Sequence, residues 1–210
     1  MFFPEVFDSF VRSYINNFRN KSINTSQFKE YLLNFFDGDE RLKNVDWDTW
    51  LHSSGMPPTI PQYDMKMTEA VNSLLKMILE GNASLSSVDI QNLTMHQQIH
   101  LLQELVERPA LPLNRLRNLG DEYSFRRSNN TEILYRWYRL CIKARDKDVL
   151  NEVFDFVNHQ GRMKIVRPIY RDLYAWKEVR DCAIENFLKN EPYMMHVSAY
   201  MIRKDLHLDK

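Results

Sequence analysis

The 210-residue sequence has little of several features that would restrict its fold or function. It contains five glycines and two cysteines, has no net charge, and lacks any long apolar run. Two cysteines are too few for a disulfide framework, so we expect a conventional hydrophobic core. A membrane span needs about 20 apolar residues, so no membrane partner is expected. Zero net charge removes the general attraction on which sequence-independent nucleic-acid binding depends, and we expect no nucleic-acid partner.

The first residues also lack the features of an export signal. Residues 1–5 have neither the basic segment nor the long apolar segment of a signal peptide. Cys141 and Cys182 lie at helical positions beside apolar neighbours, which predicts that both are buried structural thiols. We therefore expect a cytoplasmic protein in a reducing setting.

Charge is unevenly distributed along this neutral chain. Residues 30–80 carry four Lys or Arg and nine Asp or Glu, whereas residues 115–171 carry thirteen and seven. The basic second half has two interpretations. It is either a solvated face that the acidic half balances or a surface that binds an anionic group.

The apolar pattern predicts helices almost throughout. Large apolar residues recur at i, i+3, i+4 and i+7, and strands have little support. Asn24 with Gln27 and Thr94 with Gln97 have the spacing of capping boxes, in which side chains bond the free N–H groups of a first helical turn. The later helices are predicted at 67–79, 94–106, 112–123, 131–144, 147–159, 168–176, 179–188 and 197–203. Short connections make successive helices antiparallel, so the predicted fold class is all-α, built from stacked helix pairs.

A proline-rich stretch divides the predicted helices into two groups. Pro57, Pro58 and Pro61 lack amide protons and bias the residues before them towards extended backbone. We therefore predict a linker over residues 53–64, between a helical segment at 1–52 and a helical-repeat domain at 65–210.

Two histidines one turn apart suggest a metal site at first sight. His96 and His100 have the i, i+4 spacing of the HEXXH motif of zinc proteases. However, Gln97 stands where that chemistry needs a glutamate base, and Leu119 stands where the third ligand is expected. The interpretation we favour is two surface histidines, and we predict no metal site and no catalytic centre in this chain.

The segment QGRMKIVRP, residues 160–168, is the most informative. Gly161 is predicted to take the left-handed conformation that ends one helix, and Pro168 to open the next. Arg162 and Lys164 then lie on a short loop, where side chains two residues apart share a face if the backbone is extended. Two converging cations suit a carboxylate. Alternatively, they only complement the negative end of a helix dipole.

Six segments together resemble a known family. They are DWDTWLHSSGMPP, PQYDM, ALPLNRL, RWYRLCI, QGRMKIVRPIYRDL and MHVSAYMIRKDL. They are similar to the C-terminal region of the leukotriene A-4 hydrolase and aminopeptidase B family of gluzincin zinc aminopeptidases. The resemblance runs from about residue 7 to residue 208, and the GRMK segment is its most specific element.

The resemblance implies both an architecture and a site. In that family the C-terminal domain is an armadillo-like α-α superhelix, preceded by the helical end of the catalytic domain, which residues 1–52 resemble. The family's GRMK loop binds the carboxylate of a peptide or fatty-acid substrate, a role that falls on Arg162 and Lys164, with Met163 between them. The HEXXH motif and the other catalytic residues of the family are not in this sequence.

Two functions therefore remain open. In the first, the chain is the C-terminal domain of a zinc aminopeptidase that cleaves short peptides, some members of the family also hydrolysing an epoxide. Alone it is expected to be inactive and to bind no cofactor. Its expected partners are the substrate carboxylate and the catalytic domain of the same polypeptide. That catalytic domain is expected to hold Zn. In the second, it is a non-catalytic helical-repeat scaffold for protein interaction.

Overall fold

The computed structural model describes residues 4–81 and 93–208, and in these residues helices dominate and no strand occurs. The α-helices are α1 (Pro4–Phe18), α2 (Thr25–Phe35), α3 (Glu40–Lys43), α4 (Trp47–His52), α5 (Lys66–Glu80), α6 (Met95–Glu107), α7 (Leu113–Tyr123), α8 (Thr131–Lys143), α9 (Leu150–Asn158), α10 (Met163–Ala175), α11 (Arg180–Asn190) and α12 (His196–Asp205). Short 3₁₀ turns occupy Phe125–Arg127, Lys147–Val149 and Glu191–Tyr193. The all-α fold class is confirmed.

Both predicted capping boxes are present. The Gln27 N–H donates to Asn24 Oδ1 at 2.9 Å, and the Asn24 N–H donates to Gln27 Oε1 at 3.0 Å. Thr94 and Gln97 form the same reciprocal pair at the start of α6. These contacts satisfy amide groups that have no partner within the first turn, so local sequence alone fixes where α2 and α6 begin.

The chain divides into two compact units, and the first, Met1–Tyr63, has an aromatic core. Phe10 is buried, and its ring centroid lies 5.4 Å from that of Phe36 and 6.1 Å from that of Tyr31. The hydroxyl oxygens of Ser13 and Tyr31 are 2.6 Å apart, which adds a polar contact between α1 and α2. This unit therefore buries its own apolar side chains.

The second unit, Asp64–Lys210, contains a row of parallel helices. Helices α5, α6, α8, α10 and α12 are neighbours in that order. Contacts that advance together along successive members show that they run in the same direction, as Gly161 with Ser198 and Arg167 with Asp205 do for α10 and α12. These contacts join Met67 to Gln97, Met95 to Asn130, Gln103 to Arg136, Arg139 to Asp172, and Arg167 to Asp205.

Helices α7, α9 and α11 form a second layer that runs the opposite way. Arg117, early in α7, reaches Asp146 beyond the end of α8, with Nη2 and Oδ1 2.5 Å apart. Asn158 at the end of α9 bonds Asn186 late in α11 at 3.0 Å. Successive helices of the chain thus alternate between the two layers, as in an α-α superhelix. The hydrophobic core lies between the layers. Among its fully buried side chains are Tyr170, Trp176 and Phe187.

The cysteine prediction is half wrong. Cys141 in α8 is buried, but Cys182 in α11 is exposed. Cys182 lies on the solvent side of α11, one residue before the buried Ala183, so the apolar neighbours in its sequence do not indicate its own burial. Among the described residues, no helix has the length and apolar character needed to cross a membrane.

Candidate carboxylate-binding site

Arg162, Met163 and Lys164 lie at the start of α10 and not on the extended loop that we predicted. Met163 and Lys164 are the first two residues of the helix, and Arg162 is its N-cap residue with extended backbone, φ −82° and ψ 117°. Gly161 does not have a positive φ, and Pro168 lies inside α10. The prediction that Gly161 ends one helix in the left-handed conformation and Pro168 opens the next is therefore wrong.

Burial explains why the helix begins before its proline. Ile165, Val166 and Ile169 are completely buried. Each such burial contributes about 1.5–3 kcal/mol, whereas a proline inside a helix costs about 3 kcal/mol. The apolar face of α10 therefore outweighs the single hydrogen bond that Pro168 cannot donate.

The two cations converge on one carboxylate. Lys164 Nζ lies 2.7 Å from Oε1 of Glu132, and Arg162 Nη1 lies 3.8 Å from the same oxygen. Glu132 is the second residue of α8, and its backbone N–H donates to Asn130 Oδ1 at 2.9 Å. The starts of α8 and α10 are thus joined through a single side chain.

A third cation holds the other oxygen of Glu132. Arg136, one turn further along α8, places Nη1 2.8 Å from Oε2 of Glu132 and donates from Nε to Gln103 Oε1 at 3.0 Å. Hydrogen bonds from Arg136 and from Lys164 lower the pKa of Glu132, so this carboxyl is ionised at neutral pH. Three cations and one anion leave two net positive charges.

The exposed part of this charge belongs to Arg162 and Lys164. The side chain of Arg136 is 11% exposed, whereas those of Arg162 and Lys164 are 68% and 54% exposed. Arg136 therefore neutralises Glu132 inside the fold, and the two remaining cations face solvent. Both cations are therefore accessible to an anion from solvent, and Lys164 is held by its hydrogen bond to Glu132.

The helix dipoles reinforce the positive field at this position. Because α6, α8, α10 and α12 run parallel, their N-terminal ends lie along one edge of the helix row, here called the rim. The starts of α10 and α12 meet there, where Ser198 Oγ donates to Gly161 O at 3.4 Å. Each N-terminal end carries a partial positive charge. Cations here oppose the dipole of α10, which disfavours the interpretation that Arg162 and Lys164 only complement a negative helix end.

Many other cations of the basic half have structural partners. Arg167, in the same sequence segment, lies with Nε 2.7 Å from Oδ2 of Asp205 on α12. Arg139 of α8 similarly lies 2.6 Å from Asp172 of α10. These arginines therefore serve pairing between helices, which neither interpretation of the basic half anticipated, and an anion-binding surface stays a prediction for the exposed Arg162 and Lys164.

The sequence analysis missed Glu132, Arg136 and Gln103. Glu132 and Arg136 have the i, i+4 spacing of a helical ion pair, which was a usable signal. Their connection to Lys164 joins residues 32 apart in sequence and had no local signal. Only the stacking of α6, α8 and α10 brings these side chains together.

The described residues do not fit a zinc site. His96 is exposed and His100 half-buried on α6, and no three His, Cys, Asp or Glu side chains in residues 4–81 and 93–208 are grouped to hold a metal ion. We therefore derive no chemical step through zinc in this chain.

Comparison with known families finds a match over more than half of the chain. The model of the family described as "Leukotriene A4 hydrolase, C-terminal" matches residues 93–206. This segment contains α6 to α12. It also contains Glu132 and the side chains joined to it, which are Gln103, Arg136, Arg162 and Lys164.

Curated relatives and solved structures agree with that match. Leukotriene A-4 hydrolase from Xenopus laevis is 38% identical over 210 residues, covering 98% of this chain and 34% of the relative. Leucine aminopeptidase 2 from Aspergillus oryzae is 36% identical, covering 95% and 33%. The structure of yeast leukotriene A4 hydrolase in complex with bestatin superposes with a TM-score of 0.83 at 27% identity, covering 95% of this chain and 35% of the other. The chain thus spans about a third of the length of these relatives.

Proposed function

Because the chain belongs to the leukotriene A4 hydrolase family and corresponds to its C-terminal domain, we propose that it binds the substrate carboxylate in a zinc aminopeptidase. The zinc ion and the peptide-cleaving residues lie in the remainder of a longer polypeptide, which is the partner of this domain. Arg162 and Lys164 hold the carboxylate, and Met163 lies between them. The substrates are short peptides, and a fatty-acid carboxylate is a second ligand of the same chemistry.

One observation carries this proposal: two exposed cations converge at the positive end of a helix. Arg162 and Lys164 approach the same oxygen of Glu132, at 3.8 Å and 2.7 Å, on the rim where the parallel helices of the second unit begin. Cations at this position repel one another and the dipole of α10, so they do not stabilise the helix. Glu132 relieves part of this repulsion, and an anion from solvent relieves the rest.

The two side chains contribute differently to binding. The guanidinium of Arg162 offers parallel N–H groups that match both oxygens of a carboxylate, and the ammonium of Lys164 acts as a point charge with three donors. One Lys164 proton is directed to Glu132 at 2.7 Å, which leaves two for a ligand. A peptide bound here by its C-terminal carboxylate must also reach the cleavage site with its N-terminal residue. The fixed distance between these two points favours short peptides.

The test uses the complete polypeptide and a pair of tripeptide substrates that differ only at the C-terminus, one a free carboxylate and one an amide. Arg162→Ala and Lys164→Ala should each lower kcat/KM for the free tripeptide by about 10- to 100-fold, the range of a charged hydrogen bond. Cleavage of the amide should change little, because it has no carboxylate to lose.

Lys147→Ala is the matched control. Lys147 is also an exposed lysine but lies beyond the opposite end of α8, so its loss should leave both substrates unaffected. Equal losses for the free and amidated peptides in Lys164→Ala would show that the residue does not recognise the carboxylate.

The reading frame that encodes the chain separates this function from a scaffold. An aminopeptidase requires an HEXXH motif upstream in the same frame, whereas a helical-repeat scaffold does not. We propose a cytoplasmic location, which two free cysteines support.

A further inference from the structure

The proposed carboxylate site contains one group of the wrong charge. Glu132 is itself a carboxylate, it is ionised, and it occupies the position between the cations that are to bind the substrate. A negative charge so close to an incoming anion lowers the affinity for that anion unless another group neutralises it. The contacts of Glu132 with Arg136 and Lys164 show how its charge is compensated.

Arg136 neutralises most of that charge. Its Nη1 lies 2.8 Å from Oε2 and also donates to the backbone oxygen of Glu132 at 2.8 Å, while its Nε is fixed by Gln103. A nearly buried guanidinium held at three points forms a stronger pair than an exposed lysine does. From the substrate side, Glu132 and Arg136 together present little net charge.

The contact with Lys164 remains. A lysine at a helix start has four rotatable side-chain bonds, and an exposed lysine samples many rotamers that point away from a ligand. The 2.7 Å bond from Nζ to Oε1 of Glu132 restricts Lys164 to conformations directed at the rim.

We infer that Glu132, neutralised by Arg136, is a positioning residue that directs Lys164 towards the substrate carboxylate. This inference rests on the proposed function of Lys164. Glu132 acts through Lys164 and does not itself bind the substrate, so its effect lies in substrate binding and not in the rate of bond cleavage.

The experiment measures KM and kcat of the complete enzyme for the free tripeptide and its amide. Glu132→Gln keeps the size of the side chain and removes its charge. Glu132→Asp keeps the negative charge beside Arg136, but its side chain is one methylene shorter, so the carboxylate lies further from Lys164. Both should raise KM for the free tripeptide about five-fold, the upper range of an exposed ion pair, with kcat and the KM of the amide unchanged.

Two opposite outcomes would overturn the inference. If Glu132 acted only as a repelling charge, Glu132→Gln would lower KM and Glu132→Asp would leave it unchanged. If it acted only by stabilising the fold, its effect would persist without Lys164. The double-mutant cycle therefore decides: in the Lys164→Ala background, Glu132→Gln should raise KM no further.

Asp172→Asn is the matched control. Asp172 forms the other ion pair between α8 and α10, with Arg139, near the opposite ends of these helices. A rise in KM equal to that of Glu132→Gln would indicate general loosening and overturn the inference. Unchanged KM in Arg162→Ala and Lys164→Ala would instead contradict the proposed function itself, so the two failures are distinguishable.

Discussion

Gly120 shows how closely α7 packs against α8. A Cβ atom at this position would lie 2.5 Å from Cζ2 of Trp137, a buried ring that forms part of the core. Overpacking of this kind costs about 1–3 kcal/mol, and the better helix propensity of alanine returns at most about 1 kcal/mol. Gly120→Ala should therefore lower the free energy of unfolding by about 1–2 kcal/mol in urea denaturation.

Gly161→Ala is the contrasting variant. No atom lies within 4 Å of a Cβ built on Gly161, and its φ is not positive. Alanine at such a position restricts the unfolded chain and stabilises by about 0.4–1 kcal/mol. A loss of stability in this variant would support the left-handed conformation that the sequence predicts and contradict the observed backbone conformation of Gly161.

The two cysteines should differ in reactivity. Burial raises the pKa of the Cys141 thiol far above its usual range, whereas Cys182 is exposed on α11. Because the thiolate is the reactive form, an aromatic disulfide reagent should label one thiol per folded chain and two after denaturation. Cys182→Ser should abolish labelling of the folded protein, and rapid labelling that survives this change would place Cys141 at the surface.

At the scale of whole elements, local signals predicted helix starts well where side chains cap the backbone. The starts of α2 and α6 follow from Asn24 and Thr94, each with a glutamine three residues later. The start of α10 did not follow, because Pro168 is a strong local signal and the burial that overrides it comes from other helices. The fold class thus depends on periodicity along the chain, but this boundary depends on packing.

The candidate site likewise combines features set by local sequence with features set by packing. The types and spacing of Arg162 and Lys164 indicated a carboxylate, since both are cations on one short segment. Their anchor could not be predicted, because Glu132 reaches Lys164 only after α8 and α10 stack in parallel. Sequence patterns therefore identified the two exposed cations and missed the side chains that they contact.

At the scale of the whole molecule, the two units bury separate cores. The first core contains Phe10, Leu32, Phe36 and Leu42, and the second uses residues from Val71 to Leu206. Among the described residues, neither cluster includes a residue of the other unit. Each unit therefore buries apolar side chains of its own, which supports the proposed division at residues 53–64.

Limited proteolysis tests that division. Helix α4 ends at His52 and α5 begins at Lys66, and between them Met56 and Tyr63 are exposed. Because proteases cut exposed chain that is not held in a helix, brief digestion with chymotrypsin should cleave after Tyr63. Tyr63→Ser should slow this cleavage while leaving the circular dichroism spectrum unchanged.

The fragment that begins at residue 64 should remain folded. It retains the whole second core and the Glu132, Arg136 and Lys164 cluster, so its helical signal per residue and its thermal midpoint should match those of the second unit in the intact chain. Calorimetry of the intact chain should accordingly resolve two transitions, of which the fragment keeps one. A single transition in the intact chain, together with a fragment that has lost its helical signal, would show that the units fold as one and contradict the division.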